Sequence, residues 1–324
     1  MLAPVDATAS SITTRTRRLG DRIGDRLLHG LTAAAALLSV ALVAAIIWRI
    51  IDGAIPAIRH YGIEFIWSTD WNPVLNQFGA AQFIVGTLVT SFGALVLAAP
   101  LSIAIGLFLS ELAPPTVRGP IGTLVEMLAA VPSVVIGLWG IFVMAPFVSQ
   151  HIEPFLIDAL GWLPLFSGPA SPSGVFPAML VLTIMIIPIS SSICRELFIG
   201  VPDELEEGSL ALGATRWEMV RGVVIPSVKG GVVAAIILGL GRAFGEAIAV
   251  TQVIGNSDQL HRSIFQPGDT LASRIANQYQ GAVSELQISA LIYLALILLA
   301  ITFVTNVCAQ LIVRRFDLQR AGGA

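Results

Sequence analysis

Residues 206–226 read EEGSLALGATRWEMVRGVVIP, from Glu206 to Pro226, a polar stretch between long apolar runs. Thr215 and Glu218 stand in the T-x-x-E spacing of a capping box, in which each side chain satisfies an orphan backbone N–H at a helix start. The spacing predicts a short helix from there through about Arg221. Upstream, Pro202 followed by Asp203, Glu204 and Glu206 puts a proline and acidic groups in a first turn, where they suit the positive end of a helix. Gly213 falls where one helix stops and the next begins, a position that often needs left-handed geometry. The prediction is helix, turn, helix, then Pro226 and a further apolar span. Leu205, Leu210, Leu212, Trp217 and Met219 give the pair apolar material, either for a groove in another protein or for packing on its own bundle. An apolar chain that places charged, capped helices on one loop presents that loop to a soluble partner.

The rest of the chain reads as membrane. Of 324 residues, 55% are hydrophobic and 12% charged, with a mean hydropathy of +0.83, whereas soluble domains carry roughly 25% charged residues. Apolar runs long enough to cross ~30 Å of hydrocarbon as helices are expected at about 30–51, 83–111, 121–148, 175–199, 229–254 and 286–313. Pro100, Pro132 and Pro188 lie inside these runs; membrane helices tolerate proline where neighbours and local distortion satisfy the freed carbonyl, so kinked helices in a packed bundle are expected. Gly241 and Gly245 form a small-xxx-small pair that permits close helix approach. Cys194 and Cys308, the only cysteines, sit in apolar runs and are expected as buried thiols, which excludes a disulfide framework.

Basic residues set the expected orientation. Arg15, Arg17, Arg18, Arg22 and Arg26 precede the first span, Arg118 follows the second, Arg195, Arg216, Arg221 and Lys229 flank the polar loop, and Arg314, Arg315 and Arg320 end the chain. The opposite loops hold only Arg59, Arg262 and Arg274. This bias puts both termini and the Glu206 loop in the cytoplasm. The division expected is a cytoplasmic segment over 1–29, a membrane domain over 30–313 with its polar loop at 200–228, and a cytoplasmic tail over 314–324. The apolar run from Leu31 to Ile51 exceeds the 7–15 residues of a signal-peptide core and reads as a retained anchor helix. The outer loops, about 52–82, 149–174 and 255–285, form either a small platform or simple connectors. Tyr61, Trp67 and Trp71 in the first suit a membrane interface.

One charged pair interrupts the fifth span. In GLGRAFGEAIAV, Gly239 to Val250, Arg242 and Glu246 stand four residues apart, which on a continuous helix places them on one face. A charge at the centre of a membrane helix costs roughly 2.5–3.5 kcal/mol on insertion scales, so such residues face a polar path, a partner charge or a substrate. Arginine suits an oxyanion, because its planar fork donates two parallel hydrogen bonds. Glu246 would hold the arginine between substrate visits or accept a proton. The alternative is a structural ion pair. Glu126 in the third span is a weaker candidate. His29, His60, His151 and His261 are isolated and read as exposed, and no phosphate-cradling G-x-x-x-x-G-K-[ST] run is present.

The polar loop resembles the coupling loop of ABC importer permeases, whose pattern is E-A-A, three residues, G, nine residues, I, any residue, L-P. Glu207 takes the acidic place, Gly213 the glycine, Val223 and Ile225 the aliphatic places and Pro226 the proline, while Gly208 and Ser209 replace the two alanines. Together with GLGRAFGEAIAV, EMLAAVPSVVIGLWGIFV (Glu126–Val143) and FIVGTLVTS (Phe83–Ser91), the chain from about residue 30 is similar to the PstC family, permease subunits of the phosphate-specific importer. The resemblance implies an all-α membrane protein, a type I ABC importer permease bundle of six transmembrane helices with a cytoplasmic coupling helix pair. It implies half of a translocation path for inorganic phosphate in the inner membrane, with Arg242 and Glu246 in the path and Glu207, Gly213, Trp217 and Pro226 at the ATPase contact. It implies a PstA-like second permease subunit, two PstB-like ATPases that hold ATP and Mg, and a PstS-like phosphate-binding protein outside. This chain is then a transport subunit and no enzyme. A permease for another oxyanion, sulfate or molybdate, is the alternative, and an intramembrane enzyme a more distant one, since no nucleophile–base pair or metal-ligand set spans the helices.

Overall fold

The computed structural model describes residues 19–321, and the side-chain environments of 24–314. The arginines at 15, 17, 18 and 22, and the charged tail beyond Arg314, lie outside what is described of side chains. The described residues divide into two compact units, the second beginning at Ile50. Helix α1, Leu19–Tyr61, carries the first apolar span. In the second unit the order is β1 (Trp71–Asn72), β2 (Gln77–Phe78), α2 (Ala81–Leu107), α3 (Pro115–Ala130), α4 (Ser133–Trp139), α5 (Ala145–Phe147), α6 (Glu153–Leu160), α7 (Val175–Ile199), α8 (Asp203–Ala211), α9 (Arg216–Met219), α10 (Ile225–Gly245), α11 (Ile248–Val253), α12 (Leu271–Gln278) and α13 (Glu285–Ala321).

Six helical stretches are long and apolar enough to cross a membrane: 24–66, 81–112, 133–160, 175–199, 216–245 and 285–314. The number matches the sequence expectation, but the first span runs on to Ile66, past the expected 51, and the third and fifth are displaced at both ends. The third run was expected at 121–148. It is broken at Val131 and Pro132, which take extended backbone between α3 and α4, because proline disfavours the helical region at the residue before it. The crossing therefore begins at Ser133 and continues to Leu160. The fifth was expected at 229–254, but its helix begins at Arg216, so Pro226 lies inside a continuous helix instead of ending a loop.

Four π turns occur among the described residues, at 108–112, 140–144, 148–152 and 220–224. Each ends two residues before a proline: Pro114, Pro146, Pro154 and Pro226. The cause is steric. A proline inside a helix lacks an N–H and its ring collides with the carbonyl four residues back. At Pro146, Pro154 and Pro226, widening the preceding turn by one residue moves that carbonyl aside and keeps the chain helical, whereas at Pro114 the helix ends, with Ala113 and Pro114 extended. Pro100 and Pro188 lie inside α2 and α7 with no such turn ahead of them.

Helices α2 and α7 pack most extensively, with α10 against both and against α13. Ala94, Ala98, Ala178 and Ala243 are fully or almost fully buried at this centre, where small side chains let backbones approach. At the end carrying the first and last interhelix loops, Phe65, Trp71, Phe78, Phe83, Leu291 and Tyr293 make a second core. Phe65 and Tyr293 stack with centroids 4.5 Å apart. This layer, which the sequence reading puts outside, is built, not a set of bare connectors. Trp71, expected at a membrane interface, is buried within it, whereas Trp67 is exposed.

Candidate functional site

The polar loop folds as its spacing predicts. Pro202 precedes α8, whose first turn holds Asp203, Glu204 and Glu206. Gly213 turns the chain at φ +89°, left-handed geometry in which any side chain is strained. Thr215 caps α9: its hydroxyl accepts from the Glu218 N–H at 3.3 Å, and the Glu218 carboxylate accepts from the Thr215 N–H at 2.8 Å. The second helix does not stop near Arg221. It runs through the π turn into α10, so motion of the loop is motion of the fifth crossing. Glu207 is exposed, as are Leu205, Leu210, Leu212 at 91% and Trp217 at 67%, so this apolar material does not pack on the chain's own bundle. Met219 alone turns inward. Glu206 leans toward Glu111, and its carboxyl is raised above the usual range by burial, then by the charges of Glu111 and Asp203.

The Arg242–Glu246 pair differs from its expected form. Helix α10 ends at Gly245, and Glu246 takes extended backbone at ψ 113° before α11 starts. The two side chains therefore do not share one helix face, and no ion pair joins them. Glu246 instead accepts a hydrogen bond from the Ala249 N–H at 3.2 Å, holding an orphan donor of the α11 start. Arg242 is exposed and has no hydrogen-bond or ion-pair partner among the described residues. Its depth follows from its neighbours. Phe244 packs edge-on against Phe92, 6.0 Å away, and a Cβ at Gly239 would meet Ile186 and Ser190 at 2.7 Å, both in the middle of α7. Gly241 and Gly245 face open space, so within this run the close approach belongs to Gly239 and not to that pair. A helix break at this depth leaves backbone groups unpaired, which membranes tolerate only where protein or a water-filled cavity satisfies them. Glu126 is not alone: it pairs with Arg195 at 3.5 Å. Cys194 is buried as expected, but Cys308 is exposed on α13.

Two features went unread in the sequence. Asp269 and Arg274 form a buried ion pair at 2.7 Å, the side chains 0% and 4% exposed. The Arg274 guanidinium lies 4.5 Å from the Phe83 ring centroid and 5.7 Å from that of Trp71, and it donates to the Asn256 carbonyl at 3.4 Å. Burial pushes the Asp269 carboxyl up to about 6, with Arg274 opposing; burial likewise lowers Arg274. Gly86 makes this seat possible, since a Cβ there would lie 1.9 Å from the Asp269 carbonyl oxygen. The second feature is Gln82, 4% exposed, with neither side-chain N nor O hydrogen-bonded. A lone amide at the start of an apolar run was the available signal for it.

These crossings, the broken fifth helix and the exposed helix pair define a membrane permease of the ABC importer kind. The sequence pattern of the family described as binding-protein-dependent transport system inner membrane component matches residues 102–318, and the chain belongs to that family as a multi-pass inner membrane transport subunit. It is 45% identical over 306 residues to the phosphate transport system permease protein PstC of Pasteurella multocida (strain Pm70), covering 93% of this chain and 95% of that one. To the PstC protein of Mesorhizobium japonicum it is 40% identical over 315 residues, 96% of each. Identity at that level over that length places it among the PstC permeases. In fold it is similar to a chain of a crystallised bacterial alginate ABC transporter, with a TM-score of 0.59 at 17% identity over 92% of this chain and 99% of that one.

Proposed function

We propose that this chain forms half of the translocation path for inorganic phosphate, with Arg242 as the residue that meets the anion. The observation that carries the reading is the unpaired Arg242 guanidinium beside a helix break at mid-depth. Desolvating a charge without a partner is costly, so the group is held for something that arrives. A phosphate oxyanion matches the planar fork with two parallel hydrogen bonds. Glu246, occupied at one oxygen by the α11 start, keeps its second oxygen to orient the arginine or take a proton from a protonated phosphate. The contact is transient, because tight capture belongs to a binding protein outside and the permease must release its cargo.

The partners follow from the same reading: a PstA-like permease completes the path, a PstS-like protein delivers phosphate, and two PstB-like ATPases hold ATP and Mg. The ATPases grip the helix pair of α8 and α9, where Glu207 and Trp217 are exposed, Gly213 sets the turn and Pro226 lies on the rigid continuation. Both termini and this pair are then cytoplasmic, as the arginine bias requires.

The test is phosphate uptake by the reconstituted four-component transporter. Arg242→Ala should lower uptake roughly 100-fold, the loss of two charge-assisted hydrogen bonds, with normal complex yield. Arg242→Lys should recover part of it, since a point charge lacks the fork. A double variant, Arg242→Met with Glu246→Met, that still imports phosphate would remove both residues from the path. Stimulation of ATP hydrolysis by a sulfate or molybdate binding protein, and not by the phosphate-loaded one, would favour the other oxyanions.

A further inference from the structure

The outer end of the second unit holds a cavity of about 580 Å³ between the first turns of α2 and the loop before α12. Its walls are apolar, with Val85, Val89, Leu165 and Leu260 among them. Polar residues interrupt that lining, Gln259, Ser263 and the Arg274-paired Asp269 among them, and two further groups, Gln82 and Arg262, are without a partner among the described residues. Gln82 sits at the α2 end, buried, with its donor and its acceptor both unused. A buried amide left unpaired costs about as much as a lost hydrogen bond, and native proteins rarely keep one. At the mouth stands Arg262, exposed and without an ion-pair partner among the described residues. Its neighbour His261 lines the same rim.

These groups narrow the occupant. An acyl chain would fill the walls and a lipid phosphate would suit Arg262, but a lipid ester offers acceptors only and would leave the Gln82 carbonyl unpaired. Water would satisfy the amide and leave the apolar walls wet. A peptide group carries a donor and an acceptor together, matching both halves of Gln82, and an acidic side chain beside it matches Arg262. We infer that this cavity is a socket for an extracytoplasmic peptide segment of the partner binding protein, one that brings an apolar side chain for the walls, a peptide or carboxamide group for Gln82 and an acidic residue for Arg262. The choice of partner rests on the importer reading above. The cavity lies at the end of α2 away from the α8–α9 pair, the side from which a binding protein approaches.

The experiment uses the whole transporter in lipid nanodiscs with its phosphate-loaded binding protein. A photoreactive benzoylphenylalanine replaces Leu260 on the cavity wall. Illumination should join this chain to the binding protein, and Arg262→Glu should suppress the adduct. In a separate pair of measurements, Gln82→Leu should weaken binding-protein affinity about tenfold, one buried hydrogen-bonded group, while the melting temperature of the transporter alone holds or rises, because an apolar side chain replaces an unpaired amide. An adduct to the second permease subunit or to lipid overturns the proposal, as does unchanged affinity in both Gln82→Leu and Arg262→Glu. If ATP hydrolysis answers only to a binding protein for another anion, the phosphate reading fails and the adduct is sought with that protein, so the two failures are separate.

Discussion

The two ends of the second unit are built on opposite principles. The layer around Phe83 and Trp71 buries a charged pair: Asp269 and Arg274 are 2% and 3% exposed, with the arginine against the Phe83 and Trp71 rings and the Asn256 carbonyl. The α8–α9 pair leaves its apolar side chains in the open and contributes little core beyond Met219 and Val220. A buried ion pair is weak evidence for net stability, but breaking one leaves an uncompensated charge. An exposed apolar helix pair is a contact surface waiting for a groove. The first arrangement holds a geometry fixed, and the second leaves a surface open for contact.

The sharpest way to break this comparison is to remove one charge from the outer layer. Arg274→Met, which leaves the Asp269 carboxylate buried without its partner, should destabilise the assembled transporter by about 3–5 kcal/mol, read as a fall in melting temperature, whereas a cap deletion in the helix pair, Thr215→Ala, should cost about 1 kcal/mol. Equal costs would mean that both ends serve stability alike. The next effect is functional. Gly213→Val forces a β-branched residue into left-handed backbone, a strain of about 1–2 kcal/mol, and should separate ATP hydrolysis from phosphate uptake while melting changes little. A variant with normal uptake per ATP consumed removes the coupling assignment. The smallest effect is a pH dependence. The Asp269 carboxyl is held near 6 in the fold, above its ordinary value of 3.8, so the folded state binds the extra proton between those values. This group's contribution is therefore most favourable at low pH, declines as pH rises from about 4 to about 6, and is flat above. In Asp269→Asn that slope should disappear from the melting curve of the outer layer, followed by hydrogen exchange at the α12 start.

The helix pair was legible almost residue by residue, because capping boxes, acidic first turns and turn glycines act through near neighbours. Six crossings were legible for a similar reason, since length and apolarity are local. The break at Pro132 was not. A membrane proline either ends a helix or is absorbed by it, and the choice depends on packing partners far away in sequence. The Arg242–Glu246 geometry failed because a four-residue spacing places two groups together only on an unbroken helix, and Gly245 and Glu246 leave that geometry. The Asp269–Arg274 seat was hidden for the opposite reason. It depends on Gly86 and Phe83, nearly two hundred residues upstream, which no window around residue 270 contains.

The proline-linked π turns carry one more consequence. A π turn inserts one residue without advancing the helix by a full step, so everything beyond it is rotated by about 100° from where a regular helix would put it. Across 216–245 the helical wheel therefore has two phases, one for Arg216 to Met219 and another from Ile225 onward. The face that α9 offers and the face that carries Arg242 belong to different phases of one helix, joined by a fixed angular offset. Pro226→Ala, if 220–224 then relaxed to a regular helix with no residue lost, would restore a single phase and turn Arg242 about a quarter-circle away from its present bearing, whereas deleting one residue from 220–224 as well would regularise the helix and leave Arg242 where it is.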